Sequence, residues 1–563
     1  MVLKNKVTDA DGDTVNETFQ VYTTNADGTP KAPVDLDGSG SNGVLVSPYV
    51  PSGSEAKVTV PYGILKPGVV YTFRGSAYDG SLYETVWSPW ANFRIDPYVT
   101  FPAPQTSSSI DSVAQVEQEI FRSDPGGNLM APDSGGKQKC SSADDAGHKL
   151  CFSFTPAKSN DAKMRPSVRT AAAGDLVPWC EDKPYDHSYI TRTDACLKSL
   201  GSGNLIFAST DESDPPLGIA TFNFEQRIKA YRNKGESGSD FAEFDQQLFI
   251  TPTHIDSALL GVNLYWPITT HCSACDVTSV RWTDLNGGTN DGRWEAGEEG
   301  AYATQIANVT TKWTGTGKEN ITLDWNIRGQ VDVSDLTVTS DYGSSGPELT
   351  VRCDDIVPSS APGCVLPYFT PTYTVDTNLY PAAGAYYWLM QRKTGGLGYG
   401  DEPLHYLGKD TTVTRPDGAP WTKDDSRSIV CPTGNNGWKA HVTDASLGKQ
   451  TCDEFAMATT HESGGFPGGP YQVPSGDKCA QLFVDKSGSG YGLFADTRTA
   501  VNGPSWSETC GRAGVPDTQN TGPFNSLQPT TWRLLDNDAF YLSNPGFEHC
   551  TTANTTCAWK KIG

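Results

Sequence analysis

Fourteen cysteines fall along the chain in close couples, and that spacing constrains the fold more than any other feature of the sequence. The couples are Cys140/Cys151, Cys180/Cys196, Cys272/Cys275, Cys353/Cys364, Cys431/Cys452, Cys479/Cys510 and Cys550/Cys557. Nearest-neighbour pairing predicts seven local disulfides, the usage of a protein that matures in an oxidising compartment. Zinc is the competing use, because His271, Cys272 and Cys275 resemble half a finger. A structural zinc site takes four ligands, usually from two such pairs, and the chain has no second Cys-x-x-Cys. The expected location is secreted or extracellular. No basic, then apolar, stretch opens the sequence, so a trimmed signal or a start inside a longer exported protein is expected.

The 563 residues give room for about three to five domains at roughly 100–200 residues each. With 37% apolar residues, 14 Trp, 23 Tyr and 21 Phe, the chain is not globally disordered. No apolar run approaches the ~20 residues of a membrane-spanning helix. The best candidate, Leu259 to Ile268, is broken by Asn263 and Pro267, so no membrane span is expected.

The expected architecture is multidomain and mainly β. Residues 1–97 alternate as strands do. Leu65-Lys66-Pro67-Gly68-Val69-Val70-Tyr71 resembles the tyrosine corner of fibronectin type III and immunoglobulin-like sandwiches. Asp9 to Asp13 reads as a calcium clip or a solvated turn. Residues 98–135 read as a linker with a short helix over Ile110 to Phe121. Residues 136–350 read as a β-rich, disulfide-bonded region. Within it, Asp284, Asn286, Asn290, Asp291 and Glu298 place oxygen ligands around Gly292, as Ca²⁺ requires. A structural calcium loop and an unoccupied acidic turn both fit that spacing.

Residues 351–563 read as a small α+β domain with the densest ionisable stretch, Cys452-Asp453-Glu454-Phe455-Ala456-Met457-Ala458-Thr459-Thr460-His461-Glu462-Ser463-Gly464-Gly465. As a helix it would put Glu454 and His461 on one face, with Phe455 and Met457 towards the core. An N-capped surface helix and a metal-bearing acid cluster are both compatible with it. The order Cys452 to Ala458, Glu462, Gly464 and Gly465 resembles the NucA/NucB family of secreted bacterial deoxyribonucleases. Val515-Pro516…Asn520…Gly522 and Arg533 to Tyr541 resemble that family's turn and closing strand. So do the Arg352-Cys353-Asp354…Gly363-Cys364 loop, Pro403-Leu404-His405 and Arg427…Cys431. The resemblance implies a small nuclease domain with Asp453 and Glu454 as general base and metal-site carboxylate. It further implies Glu462 and Asn520 as ligands of a catalytic Mg²⁺ or Mn²⁺, with His461 as a second base, a ligand or a bystander.

Net charge constrains how such an enzyme would bind. The chain carries −23, and residues 421–563 hold 11 basic against 14 acidic side chains. Affinity for a nucleic acid comes from Lys and Arg releasing counterions, so the expectation is modest, salt-sensitive and sequence-tolerant binding. The function expected is an exported, metal-dependent, nonspecific endonuclease acting on DNA. As the toxic C-terminal part of an antibacterial toxin it would need a cognate immunity protein and a cell-surface receptor. The alternative is a noncatalytic adhesin or carbohydrate-binding protein whose β-domains hold calcium.

Overall fold

The computed structural model describes the chain outside residues 41–42, 62, 82–85, 107–120, 124–137, 157–173, 184–187, 234–239, 266–267, 295–303, 332–335, 344–349, 395–396, 399–401, 436, 499–502, 524–531, 551–555 and 562–563. It is mainly β and divides into two compact units. The first comprises residues 1–111, 372–527 and 539–563, and the second residues 112–371 and 528–538.

The first unit opens with a two-sheet sandwich. Strands β1 (Val2–Lys6), β2 (Thr14–Thr24), β3 (Glu55–Thr59), β4 (Val70–Tyr78) and β5 (Ala91–Arg94) build it, with β1 on β3 and β4 between β2 and β5. Along β2, Val15, Phe19 and Val21 turn inward at alternate positions; Phe19 and Val21 join the cluster of Leu3, Val58 and Tyr71, and Val15 packs with Val7 and Ala56. The Tyr71 hydroxyl accepts the Lys66 backbone N–H at 2.9 Å, the tie expected from the Leu-x5-Tyr spacing. Asp9 Oδ1 accepts the backbone N–H groups of Asp11 and Asp13, so the acidic run forms a local turn.

The segment read as a linker contributes a strand instead. β6 (Val99–Phe101) pairs antiparallel with Tyr491–Leu493, because alternate Val99 and Phe101 are apolar and buried. The helix expected over Ile110 to Phe121 lies outside the described residues up to position 120. Phe121 itself begins a strand with Arg122 and Ser123.

The second unit is a stack of long antiparallel strands. β7 (His148–Pro156), β8 (Asp194–Ser209), β9 (Gly218–Ala230), β10 (Ala242–Ile255) and β11 (Gln305–Trp313) form one sheet in that order. β12 (Lys318–Val331) and β13 (Val351–Asp354) belong to another. One core unites them, with Phe222, Phe224, Phe244, Trp294 and Trp313 fully buried within it. The sequence placed a boundary at 350, but Val351–Asp354 pairs with Lys318–Ile321, so residues through 371 stay in this unit. Trp532 to Asp538 return to it. Arg533, fully buried, donates to both carboxylate oxygens of Asp354, while Asp538 accepts from Arg192 and Arg352.

The remainder of the first unit is the α+β part. Its elements are β14 (Thr372–Thr374), α1 (Pro381–Lys393), β15 (Leu404–His405), α2 (Lys423–Val430), β16 (Gln450–Phe455), β17 (Ala480–Ser487), β18 (Gly490–Ala495), β19 (Gly511–Pro516), α3 (Asp517–Thr521) and β20 (Ala539–Ser543). β16, β19, β17, β18 and β6 lie side by side, and β20 runs between β14 and β15. Helix α1 starts on Pro381 and is buried from there to Gln391. A proline fits the first helical turn, where its missing N–H has no intrahelical partner to lose. Helix α2 is fixed by a capping box, in which Thr422 and Asp425 each accept the other's backbone N–H.

All seven nearest-neighbour disulfides form, and no cysteine is free. Cys272 pairs with Cys275, so the half-finger is not a zinc site. Disulfide-rich β-architecture of this kind is typical of extracellular proteins. Among the described residues no helix is long and apolar enough to cross a membrane.

Candidate active site

The acidic stretch of the α+β part is a strand followed by turns, which corrects the helical reading. Residues Gln450 to Phe455 all pair with β19, and Cys452 is tied to Cys431 beyond the end of α2. A strand sends successive side chains to opposite faces, so Asp453 and Glu454 part company where a helix would have kept them close. Asp453 meets α1: its Oδ2 accepts the Tyr387 hydroxyl at 3.0 Å and its Oδ1 accepts the Glu454 backbone N–H at 2.9 Å. Glu454 meets α2, where Arg427 lies 3.3 Å from its Oε1 and also donates to the Cys452 carbonyl at 2.6 Å. The second oxygen, Oε2, is buried and has no hydrogen-bond partner.

Both carboxyls are only 3% exposed. Desolvation raises the Asp453 pKa to about 7 against the opposing pull of Tyr387 and Arg427. It raises the Glu454 pKa to about 8, where Arg427 opposes and Asp453 adds to the rise. The folded state therefore holds these protons more tightly than the unfolded chain. The stability they confer is complete below the ordinary carboxyl range and is lost as pH rises through about 7 and 8. Asp453→Asn should accordingly raise Tm at pH 8 and leave it almost unchanged at pH 4. The rise should be roughly 2–4 °C per kcal/mol recovered, read by thermal melts at both pH values. An equal shift at the two pH values would show that Asp453 is not buried as an uncompensated acid.

Glu462 lies beyond the turn and makes a different pair. Its Oε1 lies 2.7 Å from His405 Nδ1, and its Oε2 accepts the His405 backbone N–H at 2.9 Å. The His461 backbone N–H donates to the His405 carbonyl, and Leu407 N–H to Thr459, so β15 is laced onto the turn. Glu462 is 8% exposed, while the His405 side chain keeps 35% of its surface in solvent. The hydrogen bond to Glu462 holds the imidazole pKa above its ordinary value. A carboxylate on Nδ1 fixes the ring and leaves Nε2 as its second reactive nitrogen.

The remaining residues named from the sequence have other duties. Asn520, on α3, donates its amide to Thr451 Oγ1 at 3.1 Å and to the Cys452 carbonyl at 2.9 Å, bracing β16. The His461 ring packs on Phe466 with centroids 4.4 Å apart. The carboxylate of Glu462 is thus engaged by His405, that of Glu454 by Arg427, and the amide nitrogen of Asn520 by β16. Among the described residues, the His, Cys, Asp and Glu grouped closely enough to hold an ion are His549, Cys550 and Cys557, and that pair of cysteines is a disulfide.

The proposed calcium loop likewise spends its oxygens locally. Asp284 Oδ1 accepts the Asn286 and Gly288 N–H groups, Asn290 Oδ1 the Gly292 N–H, and Asp291 Oδ1 the Arg293 N–H. These are Asx turns, and Glu298 lies outside the described residues.

His405, Tyr387 and Arg427 were not among the site residues read from the sequence. His405 stood within the Pro-Leu-His match to the nuclease family, but its acid partner is 57 positions away. Nothing in local spacing announces such a pair.

No family model matches the chain, and no curated protein matches it. Among solved structures, the crystal structure of the chicken CNTN1 FN1–FN3 domains matches with 10% sequence identity. It covers 61% of this chain and 97% of that one at a TM-score of 0.09, too low to argue from.

Proposed function

We propose that the chain is an exported nuclease whose α+β part hydrolyses phosphodiester bonds in DNA, with His405 as the base that reaches substrate. The observation that carries this reading is the His405–Glu462 pair, a half-exposed imidazole clamped at 2.7 Å by a buried carboxylate. Hydrolysis needs a group that accepts a proton from water as its oxygen attacks phosphorus and the bond to the leaving oxygen breaks. His405 Nε2 has the access for that step, and Glu462 holds the resulting imidazolium. Asp453, given the same role by the family resemblance, is sealed against Tyr387, and its part here is to position β16. Arg427 keeps 42% of its side chain in solvent beside Glu454 and offers positive charge to a phosphate. The residue-by-residue likeness to secreted deoxyribonucleases and the seven disulfides support the substrate class and the export. A toxin role, with an immunity protein and a receptor, would use the same chemistry.

The test is nicking of supercoiled plasmid by the full chain, alone and with Mg²⁺ or Mn²⁺, against His405→Asn. Cleavage by the wild type and its loss in the variant are expected. No cleavage under any of these conditions would remove the nuclease reading.

A second reading, noncatalytic extracellular adhesion, is favoured by two observations. Among the described residues no close group of three His, Cys, Asp or Glu includes Asp453, Glu454 or Glu462, and the first sandwich carries a Tyr71–Lys66 tie of the fibronectin type III kind. It requires a chain that cuts no DNA with any metal.

A further inference from the structure

A hollow of about 300 Å³ lies beside α1 in the first unit, with Trp388, Gln391 and Arg392 from the helix and Tyr541, Ser543 and Asn544 from β20 and its end among its lining. The amide network around it has one consistent orientation. Gln391 Nε2 donates to the carbonyls of Gly398 at 3.1 Å and Leu542 at 2.9 Å, which fixes that amide. Its oxygen must then face Asn544, whose Nδ2 donates to it at 2.8 Å. Asn544 Oδ1 is left with no partner, on a residue only 6% exposed. The indole N–H of Trp388, 3% exposed, has none either. An unmade buried donor or acceptor is costly, so two around one hollow call for a ligand that satisfies both.

An acceptor for Trp388 beside a donor for Asn544 is the pattern that every nucleobase presents on its pairing edge. The hollow is at the small end of the ligand-pocket range, roughly 300–1,000 Å³, which suits one nucleotide and excludes a duplex. Arg392, which lines the hollow together with Glu548, brings the cation that a phosphate requires. The location is also apt. His405 is paired with Ala539 on β20, and at about 3.4 Å per residue the strand reaches Tyr541 and Asn544 within one to three nucleotide lengths.

We propose that this hollow binds a nucleoside monophosphate unit, with the base between Trp388 and Asn544 and the phosphate at Arg392, as the subsite for a nucleotide flanking the cleaved bond. The assignment rests on the nuclease reading and names how substrate is gripped there.

The test is calorimetric titration of the full chain with dTMP and dAMP, with thymidine and inorganic phosphate as separate arms. Both monophosphates should bind, and thymidine and phosphate alone should each bind at least tenfold more weakly. Trp388→Phe keeps the ring packing and deletes the N–H, and Arg392→Gln deletes the cation. Each should weaken dTMP at least tenfold, and the second serves if the first does not fold. No binding of dTMP at millimolar concentration overturns the proposal. So does phosphate binding as tightly as dTMP, or wild-type affinity in both variants. Plasmid nicking without nucleotide binding removes only the subsite, whereas nucleotide binding without nicking keeps the subsite and removes the catalytic reading.

Discussion

Glu462→Gln will lower the plasmid-nicking rate by about 10²–10⁴, the usual worth of general acid–base assistance, while the unfolding midpoint barely moves. Glutamine has the shape of glutamate but not its charge. It presents either an oxygen or an N–H₂ to His405 Nδ1, and it cannot stabilise an imidazolium. His405→Asn should cause a loss of the same size, and the double variant should lose little more, because the two residues act as one device. Stability measurements separate this from a packing effect: the His405 ring is partly in solvent, and its removal uncovers no core. The rival assignment gives a different result. If Asp453→Asn abolishes nicking while His405→Asn spares it, the base is Asp453, as the family resemblance implies.

The largest effect on stability is expected in the second unit. Arg533→Met leaves Asp354, fully buried, with only the more distant Arg352 guanidinium, 3.9 Å from Oδ2, as an ion partner among the described residues, and a broken buried pair costs about 3–5 kcal/mol. The guanidinium also donates to the carbonyls of Arg232 at 2.6 Å and Ala361 at 2.7 Å, and those contacts go with it. Urea unfolding should show the loss in full. Adding Asp354→Leu to Arg533→Met should recover much of it, since replacing both partners removes the stranded charge. A double variant no more stable than the single one would place the cost in the lost carbonyl contacts instead.

The fold was most legible where covalent or periodic constraints are local. Seven cysteine couples could be paired by distance along the chain, and the Leu65 to Tyr71 spacing identified a hydroxyl tied back to backbone. The strand-like alternation over residues 1–97 is what β2 shows, with Val15, Phe19 and Val21 buried along it. Legibility failed where a distant partner decides. The stretch from Cys452 to Gly465 was open to a helix with Glu454 and His461 on one face, because nothing nearby reveals that β19, some 60 residues on, pairs with its start and turns Asp453 and Glu454 apart. The boundary at 350 failed for a similar reason, since β13 is claimed by β12 across a gap that contains no motif. His405 and Glu462 find each other only in three dimensions. The oxygen-rich loop at Asp284 fitted a calcium site and an acidic turn alike, and in the fold one oxygen each of Asp284, Asn290 and Asp291 accepts backbone N–H groups of its own turn.

The path of the backbone through the two units has a consequence for any payload model of this chain. It passes from one unit to the other at 111/112, 371/372, 527/528 and 538/539. A protease that severs it at 371 does not free an intact C-terminal piece, because the stretch ending at Asp538 stays anchored by Arg533 on Asp354 and by Asp538 on Arg192 and Arg352. Pulling that anchor out would strand three charges in a low-dielectric interior. Delivery would therefore require either the whole chain or an unfolding machine, and single-cut release is the route this threading resists.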